Sequence, residues 1–425
     1  MTQLESAKAG IITDEMRIVA EDENIDIEIL QQKIASGKVV IPKNIKRNFH
    51  PIGIGNGLST KINANIGTSE DHCNLEEEIK KMEIAEKYGV DSIMDLSTGG
   101  RLDFARETII KKSKVMVGTV PIYGVITKLF SENKKIYDMT SDMLFAEIEK
   151  QAEQGVDFFT VHCGVNTRTL PFLESEDRLM GIVSRGGSLT KAWMKMHNAE
   201  NPLYEEFDRL LEICLKYDIT LSLGDGLRPG AQHDASDRAQ MAELLVLGEL
   251  VERSRNAGVQ VMVEGPGHIP LDQIEMNVQL QKSICRDAPF YVLGPLTTDI
   301  APGYDHIVGA IGGAIAASKG VDFLCYLTPA EHLCLPNLDD VKNGVIATKI
   351  AAHTGDIVKG IKGAKDRDHK ISKARRDFDW ENIYKYSINP ELSRERKESS
   401  EANSEEYCTM CGKMCAVRTD TGKNS

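Results

Sequence analysis

No stretch of this chain is apolar for the length of a membrane span; its longest apolar runs are the size of strands. The opening residues, Met1-Thr2-Gln3-Leu4-Glu5, lack the basic segment and apolar stretch of a secretion signal, so a cytoplasmic protein without a membrane partner is expected. Positive charge is also short: 51 Lys and Arg face 64 Asp and Glu, for a net charge of −13. That excludes nucleic acid as the main partner, because phosphate binding needs clustered cations. The basic residues that do collect, Lys359–Arg376, read as a solvated face. What remains, 41% hydrophobic and 27% charged, is the make-up of an ordinary soluble enzyme or binding protein.

The tail lacks a fourth cysteine. Six of the nine cysteines are scattered and read as reduced, small buried hydrophobes. The other three stand together in Cys408-Thr409-Met410-Cys411-Gly412-Lys413-Met414-Cys415. A purely structural zinc site takes four ligands and stays closed. A cubane iron–sulfur cluster held by three cysteines keeps one iron open. Spacing alone leaves zinc and iron–sulfur open, and the missing ligand favours the cluster. An open iron can chelate S-adenosylmethionine through its amino and carboxylate groups, and one electron then releases a 5′-deoxyadenosyl radical.

Residues 1–75 read as a separate N-terminal region with a helix, Glu15–Ile34, and short strands at Val39–Pro42 and Lys61–Gly67. From 76 to 335 one unit repeats: an apolar run, a polar or Gly-rich turn, then a helix. The runs are Ser92–Leu96, Val115–Val120, Phe158–His162, Gly181–Ser184, Thr220–Gly224, Val259–Val263, Phe290–Leu293 and Phe323–Leu327. Near-continuous apolar strands alternating with helices imply a parallel sheet buried on both faces. Eight such units give an α/β fold, a (β/α)8 barrel. The rival, an open doubly wound sheet, is weakened because no G-x-G-x-x-G follows the first run. Residues 336–395 read as helical, and 396–425 as a flexible polar tail carrying the cysteines.

Barrel enzymes work where strands end. Each predicted strand here ends in polar or Gly-rich residues: Met94–Gly100, Pro121–Tyr123, His162-Cys163-Gly164, Ser184–Gly187, Asp225–Gly230, Glu264–His268, Gly294–Asp299 and Thr328–His332. One such motif is more often a turn than a site. Eight in register, carrying His, Arg, Asp and Glu, predict a polar pocket at one mouth. Arg185 and Arg228 suit a phosphate. Asp225 and Glu264 suit ring nitrogens, hydroxyls or acid–base work. His268 and His332, two strands apart, suit a divalent metal with open positions; either could instead be a hydrogen-bonded structural residue.

These motifs, with Ile62-Asn63-Ala64-Asn65-Ile66-Gly67, Gly118–Tyr123, Val183–Gly187, Ser222–Gly230, Leu293–His306 and Glu331-His332-Leu333, resemble the radical-SAM thiamin pyrimidine synthase family from about residue 10 to 415. The resemblance implies a barrel with an N-terminal domain and a cluster-bearing C-terminal tail. It also implies a homodimer in which one subunit's cluster closes over the partner's barrel. Its substrate would be 5-aminoimidazole ribotide, with S-adenosylmethionine as co-substrate and a donor such as flavodoxin or ferredoxin supplying electrons. Carried over, the substrate site takes in Asn65, Met94, Tyr123, His162 and Ser184-Arg185-Gly186. It continues through Asp225, Gly226, Leu227, Arg228, Glu264 and Tyr291. His268 and His332 match the metal pair, usually zinc, and Cys408, Cys411 and Cys415 match the [4Fe-4S] ligands. No residue is assigned to the radical chemistry itself.

Two departures stand out. The family pattern V-P-I-Y-Q becomes Val120–Tyr123 followed by Gly124, and P-G-x-(I/L)-A-D-A becomes Pro229–Ala235 with Gln232 and His233. Both lie beside expected substrate residues, so these three positions are candidate selectors of product. On that ground the expected activity is 5-hydroxybenzimidazole synthesis, the lower-ligand branch of cobamide formation. Synthesis of the thiamin pyrimidine is the alternative. A zinc-dependent barrel lyase of aldolase type with a structural metal tail is a more distant reading, and a non-catalytic binder more distant still.

Overall fold

The computed structural model describes residues 1–400 and 407–421, in two compact units, Met1–Lys359 and Gly360–Ser425. The first begins with helices Gln3–Lys8, Asp14–Asp22 and Ile27–Ala35 and a two-stranded antiparallel ribbon, Val39–Val40 with Ile54–Gly55. These enclose a small core of their own around Met16, Leu30, Ile34 and Ile41. Eight parallel strands follow and close on themselves. They are β1 Lys61–Ile66, β2 Ser92–Asp95, β3 Met116–Thr119, β4 Phe158–Val161, β5 Thr220–Leu223, β6 Val261–Gly265, β7 Phe290–Leu293 and β8 Phe323–Cys325.

The barrel is the expected architecture, with two strands reassigned. Lys61–Ile66, read as part of the N-terminal region, is the first barrel strand. Its Asn63 and Asn65 interrupt the apolar pattern, but Asn63 is fully buried and Asn65 lines the barrel's interior cavity. Gly181–Ser184, read as a strand, is a loop. Gly181 sits at φ +62°, and the Ser184 hydroxyl accepts the Gly187 N–H (3.1 Å) to cap the helix Arg185–His197. The barrel therefore starts near 61 rather than 76. The helix Leu338–Lys359, expected beyond it, belongs to the same compact unit.

A repeated tripeptide fixes how helices hand over to strands. Gly89-Val90-Asp91, Gly155-Val156-Asp157 and Gly320-Val321-Asp322 precede β2, β4 and β8. Each glycine has positive φ (+87°, +101° and +121°), where a side chain would be strained. Each aspartate accepts a backbone N–H at the start of the strand before it: Ile62 (2.8 Å), Val117 (2.8 Å) and Phe290 (3.0 Å). Asp157 also accepts the Asn44 N–H (3.0 Å) and pairs with Arg47 (3.3 Å), so it ties the N-terminal region to the barrel floor.

The second unit holds helices Ala364–Asp377, Trp380–Tyr386 and Pro390–Glu398. After the undescribed residues 401–406, where part of the expected polar linker lies, Cys408 to Cys415 run through tight turns into the helix Ala416–Asp420.

Asp157→Ala leaves the buried Val117 and Asn44 N–H groups and the Arg47 Nε–H without their acceptor, a loss of about 3 kcal/mol or more. The variant is expected to melt well below the parent; an unchanged melting temperature would contradict the anchoring role.

Candidate functional site

At the C-terminal ends of the strands lies a cavity of about 120 Å³. Its wall is built one strand at a time. Asn65 comes from β1, Met94 from β2, Thr160 and His162 from β4 and the loop after it, Asp225 and Arg228 from the loop after β5, Glu264 from β6, Tyr291 from β7 and Cys325 from β8. Tyr123, in the first turn of the helix Pro121–Ser131, completes it. A second cavity of about 310 Å³ shares Asn65 and Leu96 with the first, and Arg185, Glu331 and His332 line it.

The charges are few and crowded. Arg228 pairs with Asp225 (3.1 Å), and both face Glu264 across the cavity. Glu264 accepts hydrogen bonds from the hydroxyls of Thr160 (2.6 Å) and Ser222 (2.8 Å). Burial raises both carboxyl pKa values. The Arg228 cation opposes the rise at each, and the nearby Glu264 charge adds to it at Asp225. One further acid lies behind this layer: buried Glu243 accepts the Leu227 N–H (2.7 Å), and burial lifts its pKa to about 8. Burial, helped by Arg228, drives the His162 pKa down to about 3, so its ring is neutral at any working pH. That ring lies against Gly186 and Gly224; a Cβ at Gly186 would stand 2.2 Å from it.

Arg185 sits over the Tyr123 ring, its guanidinium carbon 4.9 Å from the centroid, in the first turn of the helix that Ser184 caps. A cation and free N–H groups at a helix N-terminus suit an anion. Gly226 and buried Leu227 do not line the cavity. They shape the loop that carries Asp225 and Arg228, with Gly226 packed against Gly187.

Sequence reasoning missed Thr160 and Cys325. Both lie within the apolar runs rather than in the polar residues that close them, and neither belongs to a motif that carries the family resemblance; period-two alternation along β4 and β8 is the signal that could have found them. Cys325, read as a small hydrophobe, takes hydrogen bonds from Asn65 (3.2 Å) and Asn63 (3.6 Å). The three candidate selectors stand elsewhere. Gly124 faces away from the cavity, and a Cβ there would meet the buried Glu147 carboxylate at 2.5 Å. Gln232 binds the loop after β7, and His233 is exposed and bonded to Asp234 (3.0 Å).

His268 and His332 do come together, with ring centroids 5.2 Å apart. Each Nδ1 is bonded to a carboxylate, that of His268 to Asp299 (2.8 Å) and that of His332 to Asp305 (3.2 Å). This leaves both Nε2 atoms as lone-pair donors, the arrangement of metal-binding histidines. Among the described residues no group of three or more candidate ligands is gathered, so the pair would form an open site. Cys408, Cys411 and Cys415 are free thiols on consecutive turns; their donor chemistry suits an iron–sulfur cluster, but the structure does not gather the three sulfurs into one ligand group.

Fold and cavity together define a barrel enzyme with a buried polar site at the strand ends. Comparison with known proteins narrows this. Residues 2–421 match the radical SAM ThiC family. A phosphomethylpyrimidine synthase of Dehalococcoides mccartyi is 57% identical, over 98% of this chain and 97% of the relative. Phosphomethylpyrimidine synthase 2 of Syntrophotalea carbinolica and the synthase of Methanocaldococcus jannaschii are each 55% identical, over 98% of both chains. The chain belongs to the radical SAM ThiC family. It is therefore a radical SAM enzyme, which implies S-adenosylmethionine and an iron–sulfur cluster, and the aldolase-type zinc lyase reading falls away.

Removing the Glu264 charge relieves repulsion on Asp225. Glu264→Gln is therefore expected to lower the Asp225 pKa, read as the pH midpoint of its carboxyl infrared band. An unmoved midpoint would mean that the two carboxyls do not share one field.

Proposed function

We propose that this chain is a phosphomethylpyrimidine synthase, which rearranges 5-aminoimidazole ribotide into the pyrimidine of thiamine. The observation that carries this reading is its identity to proteins of that name, 57% over 98% of the chain for one of them. The expected benzimidazole product rested on Gly124, Gln232 and His233. None of them lines the cavity, and the relatives' names favour the pyrimidine.

In this reading the two arginines, with the N-terminal turn at Ser184-Arg185-Gly186, hold the ribotide phosphate. Asp225 and Glu264 accept from the aminoimidazole and the ribose hydroxyls, and their raised pKa values let one of them give or take a proton near neutrality. Neutral His162 packs beside them without adding charge. Asn65, Met94 and Tyr291 close the floor and walls, and Tyr291 is held by stacking on Phe323 (4.3 Å). Buried walls matter in radical chemistry, because they keep solvent and stray hydrogen donors from a reactive intermediate.

Cys408, Cys411 and Cys415 would hold the cluster, which when bound supplies the electron that releases a deoxyadenosyl radical from S-adenosylmethionine. His268 and His332 would hold a divalent cation, zinc being the expected one. The larger cavity, bounded by Arg185, Glu331 and His332, offers room for the second reactant beside the first. A donor such as flavodoxin or ferredoxin would supply electrons. A homodimer is supported by exposed apolar side chains, Ile307 and Ile311 one turn apart on the helix Asp305–Lys319 with Ile300 and Tyr304 in the loop before it. Among the described residues no helix is long and apolar enough to cross a membrane.

The function is tested by complementation. Expressed anaerobically in a strain that lacks its own pyrimidine synthase, the chain is expected to restore growth without added pyrimidine. Continued auxotrophy with soluble, cluster-loaded protein would overturn the proposal. Cys411→Ala is expected to lose the cluster's visible absorption and all turnover while the barrel's thermal transition stays in place. Loss of that transition would point to a structural metal instead.

A further inference from the structure

The two histidines of the candidate metal pair are anchored differently. Asp305, which fixes His332, is the first residue of the helix Asp305–Lys319, and its side chain is 6% exposed. Asp299, which fixes His268, lies in a loop between β7 and that helix, and its side chain is 37% exposed. An exposed carboxylate on a loop gains little by staying on one partner, since water competes for it. Something else must hold it.

Gln232 does so at two points. Its backbone N–H donates to Asp299 Oδ2 (2.7 Å), while Asp299 Oδ1 takes His268 Nδ1 (2.8 Å). Its side-chain Nε2 donates to the Leu296 carbonyl (2.7 Å). Leu296 is paired with His268 in a parallel bridge, its N–H donating to Gly267 O (2.7 Å) and its carbonyl accepting from Ile269 (3.0 Å). One residue from the loop after β5 thus clasps both the carboxylate behind His268 and the backbone that carries it. The backbone bond is open to any residue except proline; the bond to Leu296 needs the amide of Gln232.

We infer that Gln232 is a positioning residue for His268, holding its ring for a divalent cation, and not a selector of product. The inference rests on the reading of His268 and His332 as the metal pair. With two protein ligands among the described residues, the orientation of each ring governs affinity more than it would in a closed four-ligand site.

The test uses the full chain with its cluster reconstituted, so that the three cysteines are occupied, and titrates Co²⁺ while following the bands of the bound ion in difference spectra against the same cluster-loaded protein without Co²⁺. Gln232→Ala removes the amide. Gln232→Pro also removes the N–H, at the first position of a short 3-10 turn after Ala231, whose extended backbone (φ −152°, ψ 158°) tolerates a following proline. Gln232→Ala is expected to weaken Co²⁺ binding about 10-fold, and Gln232→Pro more, with altered band positions and an unchanged melting curve. If both variants bind Co²⁺ as the parent does while His268→Ala loses it, the inference fails and the metal pair stands. If His268→Ala also binds unchanged, the metal pair falls and the inference with it.

Discussion

The pairing of β8 with β1 is the constraint on which the rest depends. Phe323, Leu324 and Cys325 run parallel to Lys61, Ile62 and Asn63, joining the last strand to the first. Without that seam the strand ends would fan out along an open sheet, and Asn65 and Cys325 would lie at opposite edges. With it, Asn65 reaches the Cys325 thiol, and Tyr326 donates from its N–H to Asn63 (2.9 Å) and from its hydroxyl to Asn65 (2.8 Å). The floor of the cavity is therefore the seam itself. The aspartates at the opposite face serve the same end, since each ties the start of one strand to its neighbour.

A closed barrel makes burial of charge unavoidable at its mouth, and the site turns this to use. Two carboxyls and one guanidinium share a space too small to solvate them, so the carboxyls hold their protons to higher pH than free side chains do. Hydroxyls from β4 and β5 and a backbone-anchored loop keep these groups in place before any ligand arrives. Such preorganisation costs folding stability and lowers the reorganisation needed for binding.

Much of this was legible in the sequence because the βα unit announces itself: apolar runs, glycine punctuation and polar strand ends. The eight-stranded barrel followed from that pattern, and so did the polar residues at or just past strand ends, from His162 to Glu264. Two strands were misassigned, each for its own reason. In β1, inward-facing asparagines broke the apolar run. In Gly181–Ser184, two branched residues between glycine and a cap imitated a strand. Thr160 and Cys325 escaped because their role depends on which way a strand residue points, which barrel closure decides. Gly124 and Gln232 show the converse. Gly124 follows Tyr123 directly and Gln232 lies a few residues past Arg228, yet the helix turn at Gly124 and the loop at Gln232 direct them elsewhere.

The most direct test of the account is to identify the product. The cluster is reconstituted anaerobically, aminoimidazole ribotide, S-adenosylmethionine and a strong reductant are added, and the aromatic product is weighed by mass spectrometry. A phosphorylated aminopyrimidine formed with 5′-deoxyadenosine is the predicted result. A hydroxybenzimidazole, or no product that depends on S-adenosylmethionine, would contradict it.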